Sequence, residues 1–396
     1  MISERYPLNE FRKINLKDVN KMQNCFAYLV HIKFTNIKCK YYNNFISQSK
    51  CVRILKGCYD NGRVIAADEL EIVLTDIDLK FIMNTYTYDS YEIIESYYAI
   101  YEYLPKQFIE FILDKYLDKT SFKNVEGKEV EYAISKAKFN SLYGMSVTNN
   151  IKDNVVYDNK EGWKEIPLKN EEIQKLLEKE RKMGFMSFSW GVWVTAYARY
   201  NLLSNLIKLD EHVVYADTDS LKLYGNFDKN VINDYNNNVI KKIEKVSKEL
   251  EIDINRFKPK DKKGIEHMLG LFEHDGSYNE FITQGAKKYA YRDKENKIHI
   301  TVAGVPKKGA KALKSLNDFK DNFVFDFKDT GKNLLIYNDE MENFILEDYQ
   351  GNKEEIKAKY GCSLIPTTYE LGKSLEYCNL ISDNSSKRAI YIEEGG

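Results

Sequence analysis

Two aspartates, Asp217 and Asp219, stand two residues apart in the polar segment 215–220 (Tyr-Ala-Asp-Thr-Asp-Ser). Apolar residues flank this segment on both sides, namely Val213, Val214, Leu221 and Leu223. Short apolar runs around a polar turn predict two strands joined at a β-hairpin tip. Paired carboxylates at such a tip offer hard oxygen ligands to divalent metal ions, which are the usual route to phosphoryl or nucleotidyl transfer. The simpler alternative is a solvated surface turn, in which Asp-x-Asp pairs are common.

A cation, an amide and an aromatic ring recur at helical spacing in the segment 136–144 (Lys-Ala-Lys-Phe-Asn-Ser-Leu-Tyr-Gly). Lys136, Asn140 and Tyr143 fall at positions i, i+4 and i+7, so they share one face of a helix. Gly144 is suited to a C-cap and predicts the end of that helix. Such a face suits a triphosphate, a polar edge and a sugar or base. The alternative is an amphipathic helix with a solvated lysine and a tyrosine that packs in the core.

The two motifs together resemble the family B DNA polymerases. Lys-x-x-x-Asn-Ser-x-Tyr-Gly is similar to motif B of that family's fingers, and Tyr-x-Asp-Thr-Asp-Ser is similar to motif C of its palm. The segment 283–289 resembles the Lys-x-Tyr motif of the protein-primed branch found in phages, with Lys287 and Tyr289 in its two places. The segment 195–200 resembles the helix that leads into motif C. The resemblance covers most of residues 1–310 and is weakest in roughly the last 80 residues.

The resemblance implies an α+β protein with the right-hand polymerase fold, incomplete at the N-terminus, with an antiparallel palm sheet, helical fingers and a thumb. The implied divisions are a palm segment that follows motif A (1–19), an insertion like the terminal-protein region (20–100), fingers helices with motif B (101–144), a second insertion (145–188), the palm with motif C and the Lys-x-Tyr motif (189–305) and the thumb (306–396).

The resemblance also implies a role for each matched residue. Asp217 and Asp219 would be the catalytic metal ligands for two Mg²⁺ ions, with Mn²⁺ as a possible substitute. Lys136, Asn140 and Tyr143 would bind the incoming deoxynucleoside triphosphate. The residues expected to hold the primer strand are Lys287, Tyr289, Lys307 and Lys308. The implied partners are primer–template DNA, nucleotides and a terminal protein that supplies the priming hydroxyl.

One departure from the family limits what this chain is expected to do alone. Motif A, of the form Asp-x-x-Ser-Leu-Tyr-Pro, is missing: the segment 3–7 (Ser-Glu-Arg-Tyr-Pro) has the wrong spacing and no aspartate before it. The 3′–5′ exonuclease domain is also missing. We therefore expect a C-terminal part of a polymerase that binds primer–template but polymerises little unless an upstream polypeptide supplies motif A and the exonuclease. A split gene, an interrupted reading frame or a truncated sequence would each explain this.

Two other function classes stay open at this point. A non-catalytic DNA-binding or assembly module, a remnant of such a polymerase, is motivated by the missing motif A. A reverse transcriptase also uses a hairpin with two aspartates, but that class has them adjacent and lacks the Asn-Ser-x-Tyr-Gly helix.

Composition places few restrictions on the chain. The 396 residues carry 59 basic and 60 acidic side chains, for a net charge of −1, so any phosphate-binding surface has to be local. Residues 256–314 hold 14 Lys or Arg against 7 Asp or Glu, which favours a groove that follows phosphates over an ordinary solvated surface. The cysteines and histidines form no zinc pattern. No segment has the length and apolarity of a membrane span or a signal peptide, which predicts a cytoplasmic protein.

Periodicity predicts the elements that hold these residues. The segments predicted as strands are 26–35, 64–78, 281–292, 298–302 and an edge strand at 388–393, whereas helices are predicted at 105–119, 171–182, 191–209 and 231–250, with a further helical stretch that begins at 76–78. The helix at 105–119 would pair with the motif B helix as a fingers hairpin. Lys115 and Lys119 near its end would be exposed lysines or would face phosphate.

Overall fold

A computed structural model of the chain describes residues 1–41, 44–60, 62–148, 151–158, 162–183, 187–305, 307–326, 334–335, 342–347, 353–358, 363–364 and 368–372. Met1–Glu273 belong to one compact unit and His274–Asp383 to a second. We call them the N-terminal unit and the C-terminal unit. Because each has its own cluster of buried apolar residues, each meets the physical definition of a domain.

The N-terminal unit is an α+β structure. Its strands are β1 (Arg5–Pro7), β2 (Arg12–Ile14), β3 (Phe26–Cys39), β4 (Cys51–Leu55), β5 (Cys58–Asp60), β6 (Arg63–Thr75), β7 (Tyr86–Thr87), β8 (Ser90–Tyr103), β9 (Asn154–Asp158), β10 (Gly162–Ile166), β11 (Val213–Asp217) and β12 (Ser220–Leu223). Its helices are α1 (Asp76–Thr85), α2 (Lys106–Phe122), α3 (Glu129–Ser146), α4 (Asn170–Met183), α5 (Phe188–Leu209) and α6 (Asn230–Glu249).

An antiparallel sheet with the strand order β1-β8-β3-β6-β4 forms the centre of this unit, with β2, β5 and β7 added along its edges. The predicted alternation at Leu70, Ile72 and Leu74 is confirmed, because all three side chains are buried in the core. The predicted strand 64–78 is three residues too long. It ends at Thr75, whose hydroxyl accepts a hydrogen bond from the backbone N–H of Asp78 at 3.1 Å and so caps α1.

Helices α2 and α3 pack against each other across a short connection, as the predicted fingers hairpin requires. Pro105 precedes α2, which begins one residue later and continues to Phe122. The prediction that α3 ends at Gly144 is wrong by one half turn, because the helix continues to Ser146 and Val147 takes the C-cap position. A glycine lowers helix propensity but does not by itself end a helix.

Helix α5 holds together the parts of the N-terminal unit that are distant in sequence. The Arg199 guanidinium makes two contacts with the carboxylate of Asp78 on α1, at 3.0 and 2.8 Å. At Gly191 the helix passes so close to the end of α3 that an added Cβ would lie 2.2 Å from Cγ1 of Val147. Helix α6 lies close to its predicted limits, and its buried residues Val239, Ile243 and Val246 contribute to the same core as α5.

The C-terminal unit begins with a three-stranded antiparallel sheet of β13 (Tyr278–Thr283), β14 (Lys288–Asp293) and β15 (Ile298–Val302). The later described strands pair two by two: β16 (Phe323–Asp326) with β21 (Thr368–Leu371), β17 (Leu334–Leu335) with β20 (Ser363–Leu364), and β18 (Glu342–Glu347) with β19 (Lys353–Ala358). The single strand predicted at 281–292 is wrong, since the chain reverses between β13 and β14. Gly285 and Lys287 adopt positive φ angles of 117° and 55° there, which a continuous strand does not allow. The predicted edge strand at 388–393 lies outside the described residues.

Candidate active site

Strands β11 and β12 form the predicted hairpin, and its tip carries both aspartates. Asp217 and Ser220 are opposite each other, so Thr218 and Asp219 form a two-residue connection. Thr218 has a φ angle of +53°, an uncommon conformation for a β-branched residue that costs on the order of 1–2 kcal/mol. Two-residue hairpin connections favour positive φ angles, so this conformation belongs to the tight turn that presents the two aspartates.

The two carboxylates differ in their surroundings. Asp217 is half-buried and its Oδ1 accepts a hydrogen bond from Oγ1 of Thr218 at 2.9 Å, whereas Asp219 is exposed at the tip. The backbone N–H of Asp219 donates to the carbonyl of Asp217 at 2.6 Å, which holds the tip closed. Behind it, Ala216 and Leu221 pack against the buried core of the large sheet. The hairpin is thus supported from the interior and presents its polar tip outward.

Helix α3 presents the three residues predicted to bind nucleotide on its solvent side. Lys136, Asn140 and Tyr143 are exposed, while Leu142 and Ser146 of the same helix are buried. The predicted common face is therefore present in the structure. The Lys136 ammonium lies 5.7 Å from the ring centroid of Tyr132, one turn earlier, which is a cation–π distance.

Lys119 on α2 connects the helical face with the hairpin. Burial lowers the pKa of Lys119, the ammonium groups of Lys136 and Lys123 lower it further, and the carboxylate of Asp219 opposes them. Its ammonium is therefore within electrostatic range of both Lys136 and Asp219. Lys119 is half-buried, with Nζ 4.8 Å from the ring centroid of Phe139 on α3. The Lys119 side chain therefore has charged neighbours on both the α3 face and the hairpin tip.

Lys115, one turn earlier on α2, is an ordinary charged residue by comparison. Its ammonium forms an ion pair with Asp118 at 2.7 Å. The sequence pattern could not distinguish Lys115 from Lys119, because both occupy equivalent positions in the helical period. Their environments differ only because of the way α2 packs on α3.

The donors at the hairpin are two carboxylates, which suit Mg²⁺ because this ion prefers oxygen ligands and keeps water and substrate phosphates in its shell. Among the described residues, no group of three or more His, Cys, Asp or Glu side chains is placed to hold a metal ion. Asp217 and Asp219 therefore fit a metal that takes its remaining ligands from substrate, and the described part of the chain adds no third carboxylate.

The residues predicted to hold the primer belong to the C-terminal unit. Lys287 is exposed in the turn before β14, and Tyr289 is half-buried within that strand, where its ring stacks on Phe281 at a centroid distance of 5.3 Å. Lys307 is exposed in a 3₁₀ turn that packs on β15. The side chain of Lys308 lies outside the described residues.

A second polar centre, which the sequence did not indicate, lies in the N-terminal unit at the start of α1. The Asp76 carboxylate accepts hydrogen bonds from Tyr101 Oη at 2.8 Å and from Trp193 Nε1 at 3.3 Å. It lines a cavity of about 750 Å³ that includes none of the predicted site residues. Burial raises the pKa of Asp76 to about 6, although the hydrogen bonds from Tyr101 and the other donors oppose the rise. Its partners come from distant strands and helices, so no local pattern marks it.

Comparison with known proteins shows that the chain is similar to phage DNA polymerases. No family model matches the chain. Among curated proteins, the DNA polymerase of Bacillus phage B103 is 26% identical over 169 residues, which are 42% of this chain and 27% of that protein. No helix in the described residues is long and apolar enough to cross a membrane.

Solved structures of the Phi29 DNA polymerase share the fold. An orthorhombic crystal form gives a TM-score of 0.56 at 17% identity and covers 93% of this chain and 55% of that chain. The complex with primer–template DNA gives 0.55 at 17% identity with the same coverage. The ternary complex with primer–template DNA and incoming nucleotides gives 0.52 at 18% identity, covering 92% of this chain and 54% of that one.

The chain thus spans about half the length of the solved Phi29 polymerase and about a quarter of the curated relative. The matches to phage DNA polymerases confirm the predicted resemblance, and this chain has the right-hand fold of the Phi29 DNA polymerase over about half the length of that enzyme.

Proposed function

We propose that this chain is the palm, fingers and thumb portion of a DNA-directed DNA polymerase, which transfers nucleotides to a primer 3′-hydroxyl under the direction of a template in phage or mobile-element replication. The observation that carries the proposal is the pair of carboxylates, Asp217 and Asp219, at the tip of the β11–β12 hairpin. The effect of both Lys136 and Asp219 on the pKa of Lys119 is consistent with it. The fold shared with the Phi29 polymerase supports it.

In this reaction the primer oxygen attacks the α-phosphate, and pyrophosphate leaves. Asp217 and Asp219 would hold Mg²⁺, or Mn²⁺ in its place, and a pair of such ions neutralises charge on the attacking and leaving oxygens. Lys136 would bind the triphosphate as a point charge. Tyr143 would pack on the nascent base pair and sugar, and Asn140 would hold that geometry. Positioning of this kind matters because a displacement of about 1 Å can cost on the order of a hundredfold in rate.

The C-terminal unit would hold the primer strand. Lys287, Lys307 and Lys308 supply positive charge for its phosphates, and Tyr289 supplies a ring beside them. We further propose a terminal protein as the source of the priming hydroxyl, and the host cytoplasm as the place of replication. An upstream polypeptide that carries Asp-x-x-Ser-Leu-Tyr-Pro would complete the metal site, since two carboxylates leave the position shared by two ions short of a ligand.

The test is primer extension by the full chain with such an upstream polypeptide added. We expect metal-dependent extension that Asp219→Asn reduces at least a hundredfold and that Asp234→Asn, an exposed position on α6, leaves unchanged. Equal extension by Asp219→Asn and the unmodified chain would contradict the catalytic assignment.

The second candidate is a non-catalytic DNA-binding or assembly remnant, favoured by the two-carboxylate donor set among the described residues. It predicts primer–template binding without extension even beside the upstream polypeptide. A metal-dependent gain in extension when that polypeptide is added would exclude it.

A further inference from the structure

The segment that follows α6 lies along helix α2 in the N-terminal unit, although the two are far apart in sequence. Near the start of α2, the Lys106 ammonium donates to the carbonyl of Glu251 at 3.0 Å. Just beyond the end of α2, the carbonyl of Asn124 accepts a hydrogen bond from the Lys262 ammonium. We call residues 251–262 the brace. The brace thus contacts the chain of α2 close to both ends of the helix.

Arg256 makes a third contact between the brace and α2, part-way along the helix. Its Nη1 lies 2.9 Å from Oε1 of Glu110, and its Nη2 lies 2.7 Å from Oδ1 of Asp114. Nη2 also donates to the backbone carbonyl of Glu110 at 3.4 Å. Because Glu110 and Asp114 stand at positions i and i+4, one planar guanidinium spans a full turn of the helix. Charge-assisted hydrogen bonds add geometric specificity as well as energy, so they restrain both the rotation of α2 and its shift along its own axis.

The brace is itself fixed to the core of the N-terminal unit directly beside Arg256. Phe257 is fully buried in the same apolar cluster as Ile109 of α2 and Ile243 of α6. The hydrophobic effect is non-directional, whereas the contacts of the Arg256 guanidinium have a defined geometry. A residue that is anchored in the core and makes directional contacts is suited to set the position of α2 along its axis.

Arg256 is the first residue of the basic stretch 256–314, for which the sequence favoured a groove that follows phosphates. The structure gives its half-buried guanidinium two carboxylates of α2 as partners. Lys258, which is also in the brace, forms an ion pair at 3.2 Å with Glu266, a residue outside both the brace and α2. Isolated exposed ion pairs contribute little to stability, but one cation held by two carboxylates in good geometry is an exception. Of these two cations, Arg256 is the one whose ion pairs act on α2.

Lys119 lies little more than one turn farther along α2 than the Arg256 contact, and its ammonium has Lys136 and Asp219 as charged neighbours. We propose that Arg256 is a positioning residue of the nucleotide site, which sets the axial position of α2 and so holds the Lys119 ammonium beside Phe139 of α3. Arg256 acts through the helix, because its own guanidinium is engaged by the two carboxylates. This role rests on the proposed function.

The test measures the nucleotide affinity of the full chain in the presence of primer–template DNA, by fluorescence titration with a labelled nucleotide. Arg256→Met removes the guanidinium and keeps an apolar stem, whereas Arg256→Lys keeps the charge on an ammonium that cannot reproduce the planar fork. The matched control is Lys258→Met, which removes a paired cation of the brace whose partner lies outside α2. Circular dichroism checks that each variant is folded, and the primer–template affinity of each variant is measured alongside.

We expect Arg256→Met to bind the nucleotide about fivefold more weakly and Arg256→Lys about twofold more weakly, while Lys258→Met binds it as the unmodified chain does. Because Arg256 acts through Lys119, Arg256→Met should cause no further loss in a chain that already carries Lys119→Met. In a chain that carries Tyr143→Ala, on α3, it should again cause a loss of about fivefold, as independent sites do. A residue that only stabilises the fold would cause the same loss in both backgrounds.

An undiminished loss from Arg256→Met in the Lys119→Met background would overturn the proposal, and so would an equal effect of Lys258→Met. Full affinity in Arg256→Lys would overturn it as well, because the charge alone would then suffice. A loss of primer–template affinity in Arg256→Met that accounts for the weaker nucleotide binding would also overturn it, since Arg256 would then serve DNA.

These outcomes separate the inference from the proposed function. Primer extension by a chain in which the Arg256→Met and Lys119→Met losses are independent keeps the function and removes the positioning role. Nucleotide binding that depends on Arg256 through Lys119, in a chain that never extends a primer, keeps the positioning role and removes the function.

Discussion

At the scale of single residues, Asp76 is held in place by donors from three separate elements. Tyr101 Oη, Trp193 Nε1 and the backbone N–H of Tyr28 all reach its Oδ1. Burial raises the pKa of this carboxyl to about 6, above the ordinary value of an aspartate. A raised pKa means that the folded state binds the proton more tightly than the unfolded chain does, so this group opposes folding once it ionises.

Asp76→Asn is therefore expected to change how stability depends on pH. In the unmodified chain, the contribution of Asp76 is most favourable below the unfolded pKa of about 4 and falls as pH rises to about 6. Asparagine keeps an acceptor oxygen for the three donors and carries no charge, so the difference in unfolding free energy between variant and parent should grow in favour of the variant across this range. Urea unfolding at several pH values measures it.

The control for this experiment is Asp234→Asn, an exposed position on α6. Its difference from the parent should stay constant over the same pH range. A constant difference for Asp76→Asn as well would show that the Asp76 carboxyl titrates normally.

Lys119 and Lys115 form a natural pair for a second residue-scale prediction. Lys119→Met keeps the apolar stem that packs on Phe139 but removes the charge, so we expect nucleotide affinity in the presence of primer–template to fall about tenfold. Lys115→Met, which removes a lysine paired with Asp118, should change that affinity less than twofold. Fluorescence titration with a labelled nucleotide measures both, and equal effects would contradict the special position of Lys119.

The sequence predicted the residues whose chemistry is visible in a local pattern. Asp217, Asp219 and the α3 face belong to that class, and the structure presents them on the predicted hairpin and helix. Asp76 and Lys119 do not, because their environments are made by long-range packing: Trp193 is 117 residues from Asp76. A buried carboxylate or a half-buried lysine cannot be recognised before the fold is known.

At the scale of elements, two helical glycines differ in the space that surrounds them. An added Cβ at Gly191 of α5 would lie 2.2 Å from Val147 Cγ1 and 2.7 Å from Ser146 Oγ, whereas one at Gly144 of α3 would meet no atom within 4 Å. Gly191 is thus required by the approach of two helices. Gly144 is not required by the packing of the described residues.

Gly191→Ala is accordingly expected to lower the free energy of unfolding by about 1–3 kcal/mol, because the α3–α5 contact must open. Gly144→Ala should raise it by about 0.5–1 kcal/mol through improved helix propensity. Denaturant unfolding measures both. If Gly144→Ala also lowers nucleotide affinity, its Cβ projects toward bound substrate, and destabilisation by Gly144→Ala would contradict its exposed surroundings.

Element boundaries were predicted where periodicity and punctuation agree. Helices α5 and α6 lie within three residues of their expected limits, since an apolar period of this length leaves little choice. The turn between β13 and β14 was missed because apolar residues and tyrosines alternate on both sides of it, and only Gly285 marks the reversal. In α3 the prediction erred in the other direction: Gly144 was interpreted as the end of the helix, although the helix continues past it to Ser146.

At the scale of the whole molecule, the chain has two compact units with separate cores. Ile243 is fully buried in one and Phe319 in the other. Truncation of a buried side chain of this size lowers the free energy of unfolding by about 2–5 kcal/mol. Hydrogen exchange with mass spectrometry shows which segments of the chain lose protection as a result.

We expect Ile243→Ala to speed exchange within residues 1–273 and Phe319→Ala to speed it within 274–372, each with little effect on the other unit. The two variants serve as controls for each other. Faster exchange in both units after either substitution would mean that they unfold as one cooperative body.

The fold class of the whole molecule could be predicted because the motifs resemble those of a family with a known fold. The domain divisions that the same resemblance implies stay predictions. The structure adds that strands from the predicted palm segment 1–19 and from the predicted insertion 20–100 form one continuous sheet. Strand pairing across such a separation depends on register and side-chain packing, which a single sequence does not display.

The attachments of β1 have a consequence for the order of events during biosynthesis. Its strand partner β8 follows it by some ninety residues, Trp190 Nε1 donates to the carbonyl of Pro7 across 183 positions, and Tyr197 Oη donates to that of Arg5 across 192. At about 5–20 residues per second, a ribosome needs on the order of ten seconds or more to deliver the last of these groups. Until then Tyr6, which is fully buried in the folded protein, lacks the residues that cover it, so we expect the nascent chain to expose this side chain to solvent and to chaperones.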